Sequence, residues 1–296
     1  MSSPADPLFG SHPRSFAENL YVYPVLSRRA GGISLGINLN RDRFCNFRCI
    51  YCQVDREEKA TGTEDQKTAE TAIDLPRLAE ELNWIIERFT SGGLFQSGRF
   101  SRTPVALRRL NDIAFSGDGE PTASPNFTEA AAICAAARRR HRLDEVKLVL
   151  ITNASLLHRP QVQAGLEILD RNNGEIWAKL DAGTEAYYAQ VARSAVSWRQ
   201  IVENLRATAR VRPIVIQTLF MRIRGQQPPP EEIAAYGERL REILAGGGQI
   251  KLVQIHTIAR HPAESYAAPL SNAEVDAIAE QVRRETGLRV AAFYSE

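Results

Sequence analysis

Three of the four cysteines in this 296-residue chain, Cys45, Cys49 and Cys52, fall within one short segment. Thiolates at this spacing can converge on one small object, and they are ligands that zinc and iron–sulfur clusters prefer. Structural zinc takes four protein ligands, whereas only three lie together here. A [4Fe–4S] cluster with three protein thiolates leaves one iron open to a small molecule. The polar neighbours Asn46 and Arg48 disfavour the alternative, which is three buried cysteines without a metal.

Short apolar runs alternate with helical patterns from Ile33 onward, and each run predicts a strand. The predicted strands are Ile33–Leu39, Asp112–Phe115, Val146–Ile151, Ile176–Leu180, Ile214–Phe220, Lys251–His256 and Leu288–Phe293. The alternation predicts an α/β fold with a parallel sheet. An open, partial barrel and a doubly wound sheet both fit the pattern. In either fold the active site lies at the C-terminal ends of the strands.

Several helices have clear boundary signals. These are a helix that starts at Asp74 and Pro76, a helix over Glu231 to Leu244, and a helix with a capping box of Ser271 and Glu274 that stops at Gly287. The polar stretches Gln53 to Thr71 and Ser91 to Thr103 predict surface loops or lids.

Composition restricts the class of protein. The formal net charge is +2, so no strong overall field indicates nucleic acid or a membrane surface, although a local basic patch would be enough for RNA. No segment approaches the roughly 18 apolar residues that span a bilayer. The first ten residues do not have the pattern of a signal peptide. We therefore expect a cytoplasmic protein without a membrane partner.

The second predicted strand leads into the segment Gly117-Asp118-Gly119-Glu120. Glycines at the C-terminal end of a strand let a ligand approach the backbone closely, and Glu120 offers a carboxylate to an ammonium group. A glycine–proline turn with an exposed acid is the alternative for this segment alone. Polar residues also end the next two strands, namely Asn153 and Asp181.

The cysteine spacing, with Tyr51 just before the last cysteine, resembles the signature of the radical S-adenosylmethionine (radical SAM) superfamily. The segment Gly117–Glu120 resembles the family's Gly-Gly-Glu-Pro segment, although Asp118 replaces the commoner residue. The resemblance implies an α/β fold of the partial (βα)6 barrel, TIM-barrel-like type. It also implies a core domain over residues 33–296 after an N-terminal extension over residues 1–32.

The resemblance implies an enzyme, an oxidoreductase or transferase with two cofactors, a [4Fe–4S] cluster and S-adenosylmethionine. In that family one electron from the cluster cleaves S-adenosylmethionine to a 5′-deoxyadenosyl radical, which abstracts a hydrogen atom, and the protein binds and orients the reactants. The electron donor is expected to be of the flavodoxin or ferredoxin type. The expected cofactor-binding residues are Tyr51, Gly117, Asp118, Gly119, Glu120, Asn153, Asp181, Gln217 and His256.

Each of the later positions also has a structural alternative. Asn153 could cap a helix, Lys179 could be an ion-pair partner, and His256 could be a core histidine or a substrate contact. Cys134 lies in an alanine-rich pattern and is predicted to be a small buried residue.

Further segments resemble the branch that includes the tRNA wyosine-base synthases and their bacterial relatives of uncertain function. These segments are Pro24–Arg29, Ser34–Asn38, Lys179–Ala182 and Thr257–Arg260. The wyosine synthases use three additional N-terminal cysteines for a second cluster. No cysteine precedes Cys45 in this sequence, so we do not expect that second cluster or the wyosine reaction. A nucleoside or tRNA remains one candidate substrate.

Three other functions stay open at this point. One is an activase that installs a radical on a partner protein. The second is a non-catalytic iron–sulfur electron carrier, in which the glycine–glutamate segment would have no purpose. The third is a zinc-binding interaction module.

Overall fold

The computed structural model describes residues 14–54 and 72–295. They form two compact units. The first contains the described residues of Met1–Phe44, Lys59–Ile151 and Arg159–Glu175, and the second those of Cys45–Glu58, Thr152–His158 and Ile176–Glu296. Apart from its first two residues, the predicted loop Gln53–Thr71 lies outside the described residues. No helix in the described ranges is long and apolar enough to cross a membrane.

The strands of the described ranges are β1 Val22–Ser27, β2 Gly32–Ile37, β3 Leu110–Phe115, β4 Lys147–Thr152, β5 Gly174–Lys179, β6 Ile214–Leu219, β7 Arg222–Ile223, β8 Ile250–His256, β9 Ala267–Ala268 and β10 Val290–Phe293. Each predicted strand is confirmed, with ends that shift by no more than two residues. Strand β1 and the two-residue strands β7 and β9 were not predicted.

The helices are α1 Leu75–Thr90, α2 Phe127–Arg140, α3 Pro160–Asp170, α4 Glu185–Ala192, α5 Trp198–Val211, α6 Pro230–Ala245 and α7 Asn272–Thr286. The predicted boundary signals are confirmed. The Asp74 side chain accepts a hydrogen bond from the Arg77 backbone, Ser271 and Glu274 form the capping box, and Gly287 ends α7 with a positive φ of 70°. The stretch Ser91 to Thr103 contains two short 3₁₀ helices.

In the first unit, β1 pairs antiparallel with β2, while β2 and β3, and β3 and β4, pair in parallel. A buried carboxylate fixes the start of β1. Glu81 on α1 accepts hydrogen bonds from the backbone N–H groups of Leu20, Tyr21 and Val22 at 2.8, 2.8 and 3.1 Å, and Arg77 pairs with it at 2.9 Å. Because each of these donors would otherwise be unsatisfied, Glu81 ties the incoming chain to α1.

In the second unit, β5 and β6, β6 and β8, and β8 and β10 pair in parallel, and β7 and β9 form a separate antiparallel ribbon. The strands alternate with helices α4 to α7 along the chain. The predicted α/β class is therefore confirmed. Parallel strands end at the same edge of a sheet. In this unit that edge is marked by the last residues of β5, β6 and β8, which are Lys179, Leu219 and His256.

Asp112 on β3 gives the first unit a pH-dependent stability. It is 3% exposed and accepts a hydrogen bond from Ser34, and burial raises its pKa to about 6 despite that bond and the charge of Arg29. A raised carboxyl pKa stabilises the fold at low pH, and this contribution is lost as the pH rises through about 6. We expect Asp112→Asn to gain about 2 kcal/mol relative to the native chain between about pH 4.5 and pH 8.

Urea denaturation of both proteins at the two pH values measures this change. Asparagine keeps the acceptor for Ser34, so the difference reports the carboxylate charge. A pH-independent difference between variant and native chain would contradict the prediction.

Candidate functional site

The cysteine segment 45–52 is anchored by its backbone to the end of α4. The N–H groups of Arg48 and Ile50 donate to the carbonyls of Ala192 and Val191, each at 3.0 Å. Phe47 packs edge-on against Tyr188 of the same helix at 5.9 Å between ring centroids. Fixed in this way, the segment carries its side chains on a preformed loop, which is what a multidentate ligand set requires.

The three cysteines of this segment are not joined in disulfides and lie near one another. Burial raises the pKa of the Cys49 thiol to about 12, the Lys179 ammonium opposes that rise, and Asp181, Cys45 and Cys52 add to it. The cysteines therefore lie close enough for their charges to interact. Among residues 14–54 and 72–295 no three His, Cys, Asp or Glu side chains are grouped to hold a single metal ion. A [4Fe–4S] cluster sets another requirement, because each thiolate binds its own iron.

Asn153, at the end of β4, holds the cysteine segment from the other side. Its Nδ2 donates to Asn46 Oδ1 at 2.8 Å and lies 3.8 Å from Cys45 Sγ. Its Oδ1 accepts from the backbone N–H and hydroxyl of Ser155, and that hydroxyl accepts from Asn46. Asn153 is thus a loop-positioning residue here, and it does not cap α3, whose N-cap is Arg159.

A network of Lys179, Tyr51 and Asp181 links the end of β5 to the cysteine segment. Lys179 donates to the Tyr51 hydroxyl, which donates to Asp181 Oδ2, and Lys179 Nζ lies 3.3 Å from that same oxygen. Asp181 Oδ1 accepts from the Leu219 N–H at 2.9 Å. Burial and the Asp181 charge both raise the pKa of the Tyr51 hydroxyl, so it remains protonated and able to donate.

Gln217 continues a polar row across the strands of the second unit. Lys179, Gln217 and Gln254 are register partners on β5, β6 and β8. Gln217 is fully buried, and its Nε2 donates to Gln254 Oε1 at 2.8 Å. Its Oε1 has no hydrogen-bond partner among the described residues. His256, at the end of β8, is half-buried, and its carbonyl accepts from the Phe220 N–H.

The segment 117–120 belongs to the first unit, where β2 and the N-terminal chain hold it. Asp118 accepts from Arg14 Nη1 at 2.5 Å and from Asn38 Nδ2 at 2.6 Å. A Cβ at Gly117 would lie 2.4 Å from Asn38 Oδ1, and one at Gly119 would lie 1.9 Å from the Phe44 carbonyl oxygen. Gly119 is therefore required by the close approach of the Phe44 backbone, and Gly117 by its packing against Asn38.

Glu120 is buried rather than exposed, at 2% exposure. Its Oε1 accepts from the backbone N–H and the hydroxyl of Thr122 at 3.1 and 2.6 Å. The alternative of a turn with an exposed acid does not describe this segment, because its carboxylate is held inside the unit.

Residues 39–226 match the model of the family described as the Radical SAM superfamily. The match covers more than half of the chain and includes all three clustered cysteines and the segment 117–120. The chain belongs to the radical SAM superfamily.

Curated relatives in two organisms show how much of the chain is shared. A UPF0026 protein of Helicobacter pylori (strain J99) is 29% identical over 156 residues, which cover 52% of this chain and 41% of the relative. A UPF0026 protein of Methanocaldococcus jannaschii is 26% identical over 173 residues, covering 57% and 43%. The chain therefore spans about two fifths of the length of these curated relatives.

Solved radical SAM structures share the fold. A structure of TYW1 with a lysine–pyruvate adduct bound has a TM-score of 0.50 at 15% identity, covering 86% of this chain and 74% of its own. A structure of a spore photoproduct lyase mutant has a TM-score of 0.50 at 11% identity, covering 94% and 81%. These likenesses confirm the predicted partial (βα)6 barrel of the TIM-barrel-like type.

The donor set of this radical SAM chain fits a [4Fe–4S] cluster: three thiols on one anchored segment, with no fourth cysteine nearby in sequence. Two neighbours of the cysteines were not predicted as site residues. Asn46 binds Asn153 and Ser155, and Lys179 binds Tyr51 and Asp181. The motif Lys179–Ala182 was the only sequence signal for Lys179. For Asn46 the signal was its place between the cysteines.

Proposed function

We propose that this radical SAM protein is an enzyme that reductively cleaves S-adenosylmethionine and uses the resulting 5′-deoxyadenosyl radical to abstract a hydrogen atom from a substrate. Cys45, Cys49 and Cys52 would hold the [4Fe–4S] cluster that supplies the electron. The observation that carries the proposal is the set of three neighbouring cysteine thiols on a preformed segment. Family membership supports the same chemistry.

Other residues of the chain would bind and orient S-adenosylmethionine. Glu120, held by Thr122, presents a buried carboxylate suited to an ammonium group, and Gly117 and Gly119 let that segment pack closely against Asn38 and Phe44. We assign the methionine amino group of S-adenosylmethionine to this segment. Tyr51, Asp118, Asn153, Asp181, Gln217 and His256 remain proposed cofactor contacts. Two of these residues also hydrogen bond to neighbouring side chains: Asp118 to Asn38, and Asn153 to Asn46.

We propose the substrate class from the resemblance to the branch that includes the tRNA wyosine-base synthases. The segments that resemble this branch, among them Lys179–Ala182 and Thr257–Arg260, support a nucleoside or tRNA as the substrate. An electron donor of the flavodoxin or ferredoxin type would deliver the electron. A cytoplasmic location and a core domain over residues 33–296 are part of the same proposal.

The test uses the full chain, purified without oxygen and reconstituted with iron and sulfide. We expect a [4Fe–4S] absorption and electron paramagnetic resonance (EPR) signal, binding of S-adenosylmethionine, and 5′-deoxyadenosine once dithionite is added. A bound cluster without S-adenosylmethionine binding would overturn the proposal in favour of an electron carrier, and a bound zinc ion would favour an interaction module. A glycyl-radical signal that appears only on an added partner protein would instead identify an activase.

A further inference from the structure

A buried ion pair lies directly beside the cysteine segment. Lys179 Nζ lies 3.3 Å from Asp181 Oδ2, with the two side chains only 22% and 10% exposed. Their neighbours hold them in place: Tyr51 bonds to both, its ring centroid lies 4.3 Å from Lys179 Nζ, and the Leu219 N–H binds Asp181. Side chains that are buried and bonded in this way keep their charges at fixed positions.

The two charges lie at different places relative to the cysteines. Lys179 Nζ lies 4.3 Å from the centroid of the Tyr51 ring, and Tyr51 directly precedes Cys52, whereas Asp181 contacts the hydroxyl at the far end of that ring. The positively charged side of the pair therefore faces the cysteine segment. Burial makes this effect larger than that of a surface pair, because solvent screens it less.

Positive charge beside an iron–sulfur cluster favours its reduced state, since reduction adds one electron and no bond forms or breaks. Net charge, hydrogen bonds and burial around the ligands are the protein's means of setting cluster potentials. We propose that the Lys179–Asp181 pair sets the reduction potential of the cluster, with Lys179 raising it and Asp181 lowering it. The proposal rests on the proposed function, because it requires the cluster on Cys45, Cys49 and Cys52.

The test is an EPR-monitored redox titration of the reconstituted full chain with dithionite, without S-adenosylmethionine. We expect Lys179→Met to lower the midpoint potential by at least the equivalent of a tenfold change in the reduction equilibrium, about 59 mV for one electron. Asp181→Asn should raise the midpoint potential, because it removes a negative charge near the cysteines. Asparagine keeps an oxygen that can accept the hydrogen bond from the Leu219 N–H, so that contact is retained. The double variant should return towards the native value.

Two controls separate charge from structure. Lys179→Arg keeps the charge and should keep the potential near that of the native chain. Arg241→Met removes the cation of a different pair in the same unit, 3.6 Å from Glu285, and should leave the potential unchanged. If the Lys179→Met variant does not take up a cluster, the Asp181→Asn variant tests the inference by itself. A raised midpoint potential then supports it, and an unchanged potential overturns it.

The outcomes distinguish the two proposals. Opposite shifts in the Lys179→Met and Asp181→Asn variants support the inference. A native chain that holds the cluster and cleaves S-adenosylmethionine, with unchanged potentials in both variants, would overturn the inference and leave the proposed function intact. A native chain that takes up no cluster would overturn both.

Discussion

Replacing Cys49 by serine should abolish formation of 5′-deoxyadenosine and sharply reduce the iron and sulfide bound per chain. Cys49 is the middle one of the three proposed ligands, and its thiol interacts with both Cys45 and Cys52. Soft thiolates are the ligands that iron–sulfur clusters select, and a serine hydroxyl of the same shape is a poor substitute. Iron and sulfide analysis with chromatography of the nucleoside product measures both effects.

Cys134 provides the matched control. It is fully buried in α2 of the first unit, where the sequence predicted a small buried residue. Cys134→Ala should retain the cluster and the activity and cost at most about 1 kcal/mol of unfolding free energy, because it removes one buried sulfur atom. Equal loss of cluster in both variants would show a general effect of cysteine removal and contradict the assignment of Cys49 as a ligand.

The cysteine spacing, the strands and the helix caps could be predicted because each depends on residues close together in sequence. Ser271 and Glu274 are three positions apart, and the cap they predict is present. The network of Lys179, Tyr51 and Asp181 could not be predicted in the same way. Tyr51 and Lys179 are separated by 128 positions, and only the fold determines which of many polar side chains meet.

Strand β1 was missed for a different physical reason. Pro24 interrupts the apolar run Val22–Ser27 and cannot donate a hydrogen bond, a pattern that argues against a central strand. In the structure, β1 lies at the edge of the sheet, and β2 is its only partner among the described strands. The contact of Asp118 with Arg14 could not be predicted from the sequence either, because the two residues are 104 positions apart.

Substituting Gly119 by alanine should weaken binding of S-adenosylmethionine at least about tenfold, or 1.4 kcal/mol. The added Cβ would lie 1.9 Å from the Phe44 carbonyl oxygen and 2.7 Å from Asn40 Cβ. The nearest of these atoms belongs to the backbone, so either segment 117–120 or Phe44 must move. Such overpacking should also lower the unfolding free energy by about 1–3 kcal/mol. Calorimetric titration of the oxidised, reconstituted protein measures the affinity.

Gly93→Ala is the matched glycine control in the same unit. Its added Cβ would meet its nearest neighbours at 3.4 Å, an ordinary contact, and should change neither affinity nor stability appreciably. Because Phe44 immediately precedes Cys45, iron content of the Gly119→Ala variant must be measured beside its affinity. Retained iron with weakened binding would assign the defect to segment 117–120 itself. Native affinity in a folded Gly119→Ala protein would contradict the role given to this segment, because the strained contact would then have no consequence for the ligand.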